Sequence, residues 1–569
     1  MARKKKQSAK VEKSFEQTLW DTANSLRGSV ESSEYKHVVL SLIFLKFVSD
    51  KFEAQRAKLI AQGMGKYVDM VAFYTKDNIF YLPETSRWSF IQQHAKQTDI
   101  AVKIDSALAD VEKNNPTLKG ALPDNYFSRL NLDVSKLSAL IDAINNIDTN
   151  ADQAEDTVGR VYEYFLGKFA ASEGKLGGEF YTPKCVVNLI AEMIEPYRGK
   201  IYDPCCGSGG MFVQSLKFVR AHHGNTKDIS VYGQEYTATT YKLAKMNLAV
   251  RGLSANLGDI PADTFFRDQH PNLKADYVMA NPPFNLKNWR GKDELTKDPR
   301  WNGYDVPPTG NANYAWILHM LSKLSQNGVA GFVLANGSMS TNTKGEGKIR
   351  QTLVENDLVD CMIALPGQLF YTTQIPVCLW FLSRSKRANA ERGYRDRRGE
   401  TLFIDARKLG EMISRTQKEL TPADIARIAD TYHSWRNAPL PSTSSGNSTL
   451  ATAETVPEPV EGTAEGTAEG TAEAKAGTYE DILGYCKSAT LTDIQKHDYV
   501  LTPGRYVGAP PLEDDGIPFE TKMTALSQTL FEQMTQSSKL DAVIQNNLAG
   551  LGYGNLPSSR SGNDDSNVG

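Results

Sequence analysis

Ile201-Tyr202-Asp203-Pro204-Cys205-Cys206-Gly207-Ser208-Gly209-Gly210-Met211-Phe212 carries a short apolar run into a glycine turn and out into a helical pattern. In an open α/β sheet such a junction lies at the carboxyl end of a strand, where nucleotide-like ligands bind. Glycines let the backbone approach a ligand closely, and the following helix offers free N–H groups to a carboxylate. The stretch is not a Walker A loop, because no lysine followed by serine or threonine succeeds its glycines; Gly345-Glu346-Gly347-Lys348 likewise runs into Ile349. Nor is it the full dinucleotide fingerprint.

Outward from this turn, strand-like runs at Ile229–Gln234, Tyr277–Ala280, Val329–Ala335, Val359–Leu365, Val377–Leu382 and Thr401–Ile404 join Lys200–Asp203. Helical patterns at Gly210–Ala221, Thr237–Val250 and Ala315–Leu324 fall between them. The alternation predicts a largely parallel, doubly wound α/β sheet across residues 151–440. Residues 12–150 read as an all-α domain, with apolar residues at three- and four-residue spacing. Its most apolar run, His37–Lys46, is too short to span a bilayer and is broken by lysine, so it reads as a buried helix and no membrane contact is expected. Residues 1–11 read as a basic disordered tail without a signal-peptide core. Residues 441–477 hold a Gly-Thr-Ala-Glu repeat and few apolar side chains, so they read as an acidic linker or insert. Residues 478–557 read as a C-terminal helical region for subunit contacts, and 558–569 as a disordered tail.

The chain has 569 residues and a net charge of −3, which gives no global attraction to nucleic acid; any DNA contact must rest on local patches or a partner's charge. Its six cysteines lack the paired spacing of a zinc site and the density of a disulfide scaffold, which fits a reducing cytoplasm. About one βα unit after the glycine turn, Val231-Tyr232-Gly233-Gln234-Glu235 ends a strand in the acidic position from which a carboxylate reaches ribose hydroxyls. A lone glutamate there is also an ordinary solvated strand end.

Ala275–Ala280 then runs into Asn281-Pro282-Pro283-Phe284. Two prolines make a stiff exit from the strand, able to aim the Asn281 side-chain oxygen and the Pro282 carbonyl at one point. Two acceptors there would draw an exocyclic amine toward tetrahedral geometry and free its lone pair for attack. Phe284 would stack on the ring that carries the amine. Asn-Pro and Pro-Pro also punctuate ordinary loops.

Asp203–Gly210, Glu235 and Asn281–Phe284, in that order and preceded by Gly178-Glu179-Phe180-Tyr181-Thr182-Pro183-Lys184, resemble the S-adenosylmethionine-dependent methyltransferases acting on adenine N6 of DNA, in their γ motif order. Ala262-Asp263-Thr264-Phe265, Gly310–Trp316 and Leu501–Val507 narrow the resemblance to the modification (M) subunit of type I restriction-modification enzymes, over residues 12–435 and 479–550. The resemblance implies a Rossmann-like methyltransferase sheet and S-adenosyl-L-methionine as cofactor. It implies that Glu179, Phe180, Tyr181, Thr182, Pro183 and Lys184 wrap the methionine end, with Asp203, Ser208, Gly209 and Gly210 in the cofactor cradle. Glu235 would take the ribose. Asp263 would face the cofactor adenine, with Asp259 as a competing candidate. Cys205 and Cys206 stand where small residues are usual and read as buried hydrophobes, not nucleophiles.

The implied reaction is direct displacement at the sulfonium methyl, without a metal or a covalent protein intermediate. Its substrate is double-stranded DNA with the target adenine flipped out of the stack. The implied partners are a specificity (S) subunit carrying target recognition, with two M subunits per S, and a restriction (R) subunit in the full complex. Cytosine N4 and protein glutamine are alternative planar amines, and a non-catalytic scaffold is the remaining alternative. Residues 285–311, with Trp289, Arg290, Lys292, Lys297, Arg300, Trp301 and Tyr304, read as a loop that orders over DNA. The basic run Arg384–Arg398 reads as a solvated hairpin.

Overall fold

Apolar runs too short and too continuous for amphipathic helices become strands buried on both faces. Together with the short or polar edge strands β3 (Ala255–Asn256) and β11 (Cys486–Thr490), they are β1 (Gly199–Asp203), β2 (Ile229–Gly233), β4 (Ala275–Ala280), β5 (Leu324–Ala335), β6 (Val359–Ala364), β7 (Val377–Ser383) and β8 (Glu400–Asp405). These nine form one sheet in the order β11-β8-β6-β7-β5-β4-β1-β2-β3; β9 (Glu411–Met412) and β10 (Lys418–Glu419) form a separate hairpin. The computed structural model describes residues 15–24, 32–77, 79–147, 161, 164–165, 182–370, 375–437, 479–509 and 518–551. The expected tails at 1–11 and 558–569 and the linker at 441–477 lie outside the described residues.

β1 pairs in parallel with both β2 and β4, with Ile201 opposite Val231 on one side and Tyr277 on the other. Strand order reverses at β1, so the crevice between the carboxyl ends of β1 and β4 is the sheet's ligand-binding switch point. Helices α8 (Lys184–Ile194), α9 (Gly210–Ala221) and α13 (Pro422–Arg436) pack in one core layer; α11 (Asn313–Lys323) and α12 (Glu346–Glu355) pack in the other.

The seven expected runs are all strands, but the sheet is mixed. β7 runs antiparallel to β5 and β6. A parallel return needs a crossover, usually a helix, and no helix is described between β6 and β7. Residues 479–509, expected within the helical region 478–557, instead supply β11, which pairs antiparallel with β8. This segment is fastened by Arg350 Nε donating to Tyr499 O (2.7 Å), Leu501 N–H donating to Met339 O (2.9 Å), and Tyr506 stacking on Phe403 (3.8 Å).

The N-terminal region is helical, from α1 (Phe15–Asn24) and α2 (Ser32–Ala61) through α3 (Ala72–Thr75), α4 (Trp88–Gln93), α5 (Ile100–Asn114), α6 (Tyr126–Arg129) and α7 (Val134–Asn145). In α2, Val38–Leu40 and Leu42–Leu45 are all buried, as their unbroken hydrophobicity requires. This helical core also takes in Leu243, Met246 and Val250 of α10 (Ala238–Val250), while Tyr241, Ala244 and Leu248 of the same helix pack on the sheet side. Among the described residues no helix is long and apolar enough to cross a membrane.

Residues 510–569 form a second unit. Within it α15 (Phe519–Gly550) is a helix of 32 residues; a short helix, α14 (Leu491–Lys496), precedes it in the first unit.

Candidate active site

The turn after β1 is held from three directions. Cys206 N–H donates to Gln234 O (2.9 Å), Gly207 N–H to Glu235 Oε2 (3.0 Å), and Asn247 Nδ2 of α10 to Ser208 O (2.7 Å). Gly207 and Gly209 take left-handed φ of 54° and 81°. A Cβ on Gly209 would lie 3.3 Å from Leu248, so both backbone angle and space call for glycine. Gly209 is the N-cap of α9 and offers no side-chain cap, which leaves that helix's first N–H groups uncapped beside the crevice.

One cavity is lined by Thr182, Lys184, Asp203, Cys205, Cys206, Gly207, Ser208, Gly210, Asn247 and Asn281. Asp203 is buried there, accepts Cys205 N–H (3.0 Å), and is pushed up to about 7, first by desolvation and also by the nearby Glu235. Burial raises both Cys205 and Cys206 well above the ordinary thiol range, so they stay protonated, as their reading as small hydrophobes requires.

Glu235 divides its carboxylate, Oε2 to Gly207 N–H and Oε1 to Thr237 N–H (2.9 Å). Its carbonyl accepts Ala262 N–H (2.9 Å), which brings the segment carrying Asp263 alongside. Asp263 Oδ1 caps Phe265 N–H (2.7 Å) and Phe266 N–H (3.3 Å); Asp259 is exposed, and its N–H donates to Gln269 Oε1 (3.2 Å). Glu235 and Asp263 lie outside the cavity lining. Each is followed within three residues by an exposed aromatic, Tyr236 (72% exposed) and Phe266 (48%), which the motif reading passed over.

Asn281 leaves β4 with its amide fixed: Nδ2 donates to Thr182 Oγ1 (2.9 Å). The other amide atom, Oδ1, is buried without a hydrogen-bond partner among the described residues. An unmet buried acceptor costs free energy on the order of 1–3 kcal/mol unless a ligand meets it. Pro282 is buried, Pro283 is half-buried, and Phe284 is half-buried with its ring edge-on to Phe370 (5.8 Å). Thr182, expected only at the cofactor, thus also orients the acceptor amide. Pro183 caps α8 and Lys184 opens it; Glu179, Phe180 and Tyr181 lie outside the described residues.

The turn ends in an asparagine clasp that the sequence reading did not foresee. Asn285, at φ 53°, donates its N–H to Asn313 Oδ1 (3.1 Å) and accepts from Asn313 Nδ2 (3.0 Å) and Asn311 Nδ2 (3.2 Å). The Asn pair within Gly310–Trp316 was its only sequence signal.

The segment between the clasp's ends differs from the expected DNA loop. Trp289 and Trp301 are buried and donate to Pro308 O and Leu295 O (both 2.8 Å). Arg290 spends its guanidinium on the carbonyls of Gly291, Lys292, Glu294 and Pro307. Arg300 binds Asp298, the carbonyls of Thr264 and Phe265, and His319 Nδ1. His319 is pushed well below its ordinary value, first by burial and then by Arg300 and Lys323. These side chains build a packed lobe, and its exposed cations are Lys287, Lys292 and Lys297. The run Arg384–Arg398 is likewise only partly solvated. Lys386 and Arg397 are buried, on Asp357 and Asp360 respectively, and Arg395 pairs with Glu400.

A glycine cradle on one strand end and an aimed amide on the neighbouring one, in a doubly wound sheet, make a methyltransferase architecture suited to amino-group acceptors. Residues 153–515 match the N-6 DNA Methylase family, and residues 15–144 match the HsdM N-terminal domain. The chain is 44% identical over 495 residues to the type I restriction enzyme HindI methylase subunit of Haemophilus influenzae, covering 83% of this chain and 100% of that one. It is 36% identical to the type I restriction enzyme MjaIX methylase subunit of Methanocaldococcus jannaschii, covering 95% and 92%. The fold is similar to the crystal structure of a type I restriction-modification system methyltransferase subunit from Streptococcus thermophilus, with a TM-score of 0.65, 23% identity, and coverage of 87% and 99%. The chain belongs to the N-6 DNA methylase family, among the methylase subunits of type I restriction enzymes, and is thereby an adenine-specific DNA methyltransferase.

Proposed function

We propose that this chain transfers a methyl group from S-adenosyl-L-methionine to N6 of a flipped adenine in double-stranded DNA, at a site chosen by a separate specificity subunit. The observation that carries this reading is the Asn281 amide, whose nitrogen is committed to Thr182 and whose buried oxygen lacks a partner among the described residues. A donor bound in the crevice would meet that oxygen, and an exocyclic amine is such a donor. Asn281 Oδ1 accepts one amine hydrogen, the Pro282 carbonyl the other, and Phe284 stacks on the base.

The residues present fit the cofactor. The N-terminus of α9 suits its carboxylate, buried Asp203 its ammonium, and the open space at Gly207 and Gly210 its close approach. Glu179–Lys184 would enclose the methionine end, Asp203 and Ser208–Gly210 would cradle it, Glu235 would take the ribose, and Asp263 the adenine. When bound, S-adenosyl-L-methionine supplies an electrophilic sulfonium methyl. The chain's own part is to hold the two reactants in line and to keep the amine's lone pair free.

In α15, Phe519, Met523, Leu526 and Leu530 recur at four- and three-residue steps, and Leu540 and Ile544 resume the same phase; all are exposed. Such a stripe suits a helical partner. It supports docking on the specificity subunit; the proposed assembly has two modification subunits to one, with a restriction subunit completing the complex for cleavage. The test is single-molecule sequencing of DNA from cells expressing this chain with and without its specificity subunit. N6-methyladenine at a defined sequence is expected with the partner, and its absence in both cultures overturns the reading.

A further inference from the structure

The hairpin β9–β10 leaves the sheet after β8 and returns to α13, pairing Met412 with Lys418 and Glu411 with Glu419. Its tip is closed by Ile413 N–H and Ser414 N–H, which both donate to Gln417 O (3.0 and 3.3 Å). Its returning arm, Gln417–Lys418, stands on the acceptor side of the crevice. Lys418 N–H donates to Gln368 O (2.9 Å) and Gln417 Nε2 to Leu369 O (3.4 Å); the next residue, Phe370, carries the ring that meets Phe284. Leu420, just past the hairpin, is buried in the same core as Leu369, Phe370 and Cys185, the second residue of α8. The hairpin is therefore fastened both to the wall behind Phe284 and to the helix whose leading segment orients Asn281.

The tip itself is apolar and exposed. Met412 is 50% and Ile413 55% exposed, on a two-stranded element that buries neither. Lys408 and Arg415, which bracket them in sequence, make no ion pair among the described residues. A base withdrawn from a duplex leaves a gap between two base pairs, and proteins that part base steps fill such gaps with aliphatic side chains while cations hold the flanking phosphates. Apolar tip, free cations and continuity with the base pocket all suit that one occupant.

We propose that Met412 and Ile413 enter the DNA stack where the target adenine has left it, with Lys408 and Arg415 on the adjacent phosphates. The inference rests on the adenine reading of the site. It is tested by single-turnover methylation with the complex of this chain and its specificity subunit, on two duplexes of the recognised sequence. One has thymine opposite the target adenine; the other has an abasic position there, which lowers the cost of flipping. The double variant Met412→Ala/Ile413→Ala is expected to slow transfer about tenfold on the paired duplex and less than about twofold on the abasic one. 2-Aminopurine at the target should lose its flipping signal in the double variant only in the paired duplex, and the conservative Ile413→Met should keep most of the rate. Equal rates for variant and wild type on the paired duplex, or equal slowing on both duplexes, overturns the inference. No transfer by the wild-type complex to either duplex overturns the adenine reading, and this one with it.

Discussion

The turn after β1 and the turn after β4 leave neighbouring strands, yet their polar groups stand in opposite states. In the first, Glu235, Gln234 and Asn247 already engage the backbone of residues 206–208, so the cradle is complete without a ligand. In the second, Thr182 fixes one end of an amide and the other end has no partner among the described residues. One half is pre-formed by satisfying itself; the other is pre-formed by leaving one atom unmet. The difference separates affinity, which a rigid cradle serves, from rate, which an aimed acceptor serves.

Replacing Asn281 with alanine breaks the comparison most severely. Transfer should fall by at least roughly 10³-fold, with cofactor affinity, read by calorimetry, within about twofold of wild type. Glu235→Ala should do the reverse, weakening cofactor binding by about 10- to 100-fold as it frees both the ribose and the Gly207 N–H. Thr182→Val removes the group that orients the Asn281 amide, and the rate should drop about tenfold, with a smaller change in KM.

Asp203 sharpens the cofactor half through pH. Its carboxyl sits at about 7 in the free protein, and a bound ammonium favours the ionised form. Affinity should therefore rise with pH, between about 6 and 8, and level off above. Asp203→Asn should flatten that profile, and an unchanged slope in the variant would remove Asp203 from the cofactor's charge. Deleting Gly462–Glu473 should leave methylation of genomic DNA unchanged; a large loss would make the repeat more than a spacer.

The features legible in the sequence were the local ones. Glycines with left-handed φ, an Asn-Pro-Pro turn and strands buried on both faces each leave a mark within a few residues. β3 and β11 left little mark: Ala255–Asn256 is two residues long, and Cys486–Thr490 is a polar edge strand whose pairing with β8 lies far off in sequence. The direction of β7 depended on the connection before it and not on its own residues. The lobe after the Asn281–Phe284 turn differs from its reading for another reason. Basic and aromatic composition does not say whether a guanidinium will meet a phosphate or its own chain's carbonyls, and Arg290 and Arg300 meet carbonyls. The Asn285–Asn313 clasp depended on two segments meeting in space.

Helix α10 belongs to two cores at once: Leu243, Met246 and Val250 sit in the helical domain, while Asn247, between them, grips the carbonyl of Ser208. The helical domain thus has a handle on the glycine turn proposed to cradle the cofactor. If a partner tilted the helical domain, that grip would shift, and on the proposed reading a single amide would then couple assembly to cofactor affinity.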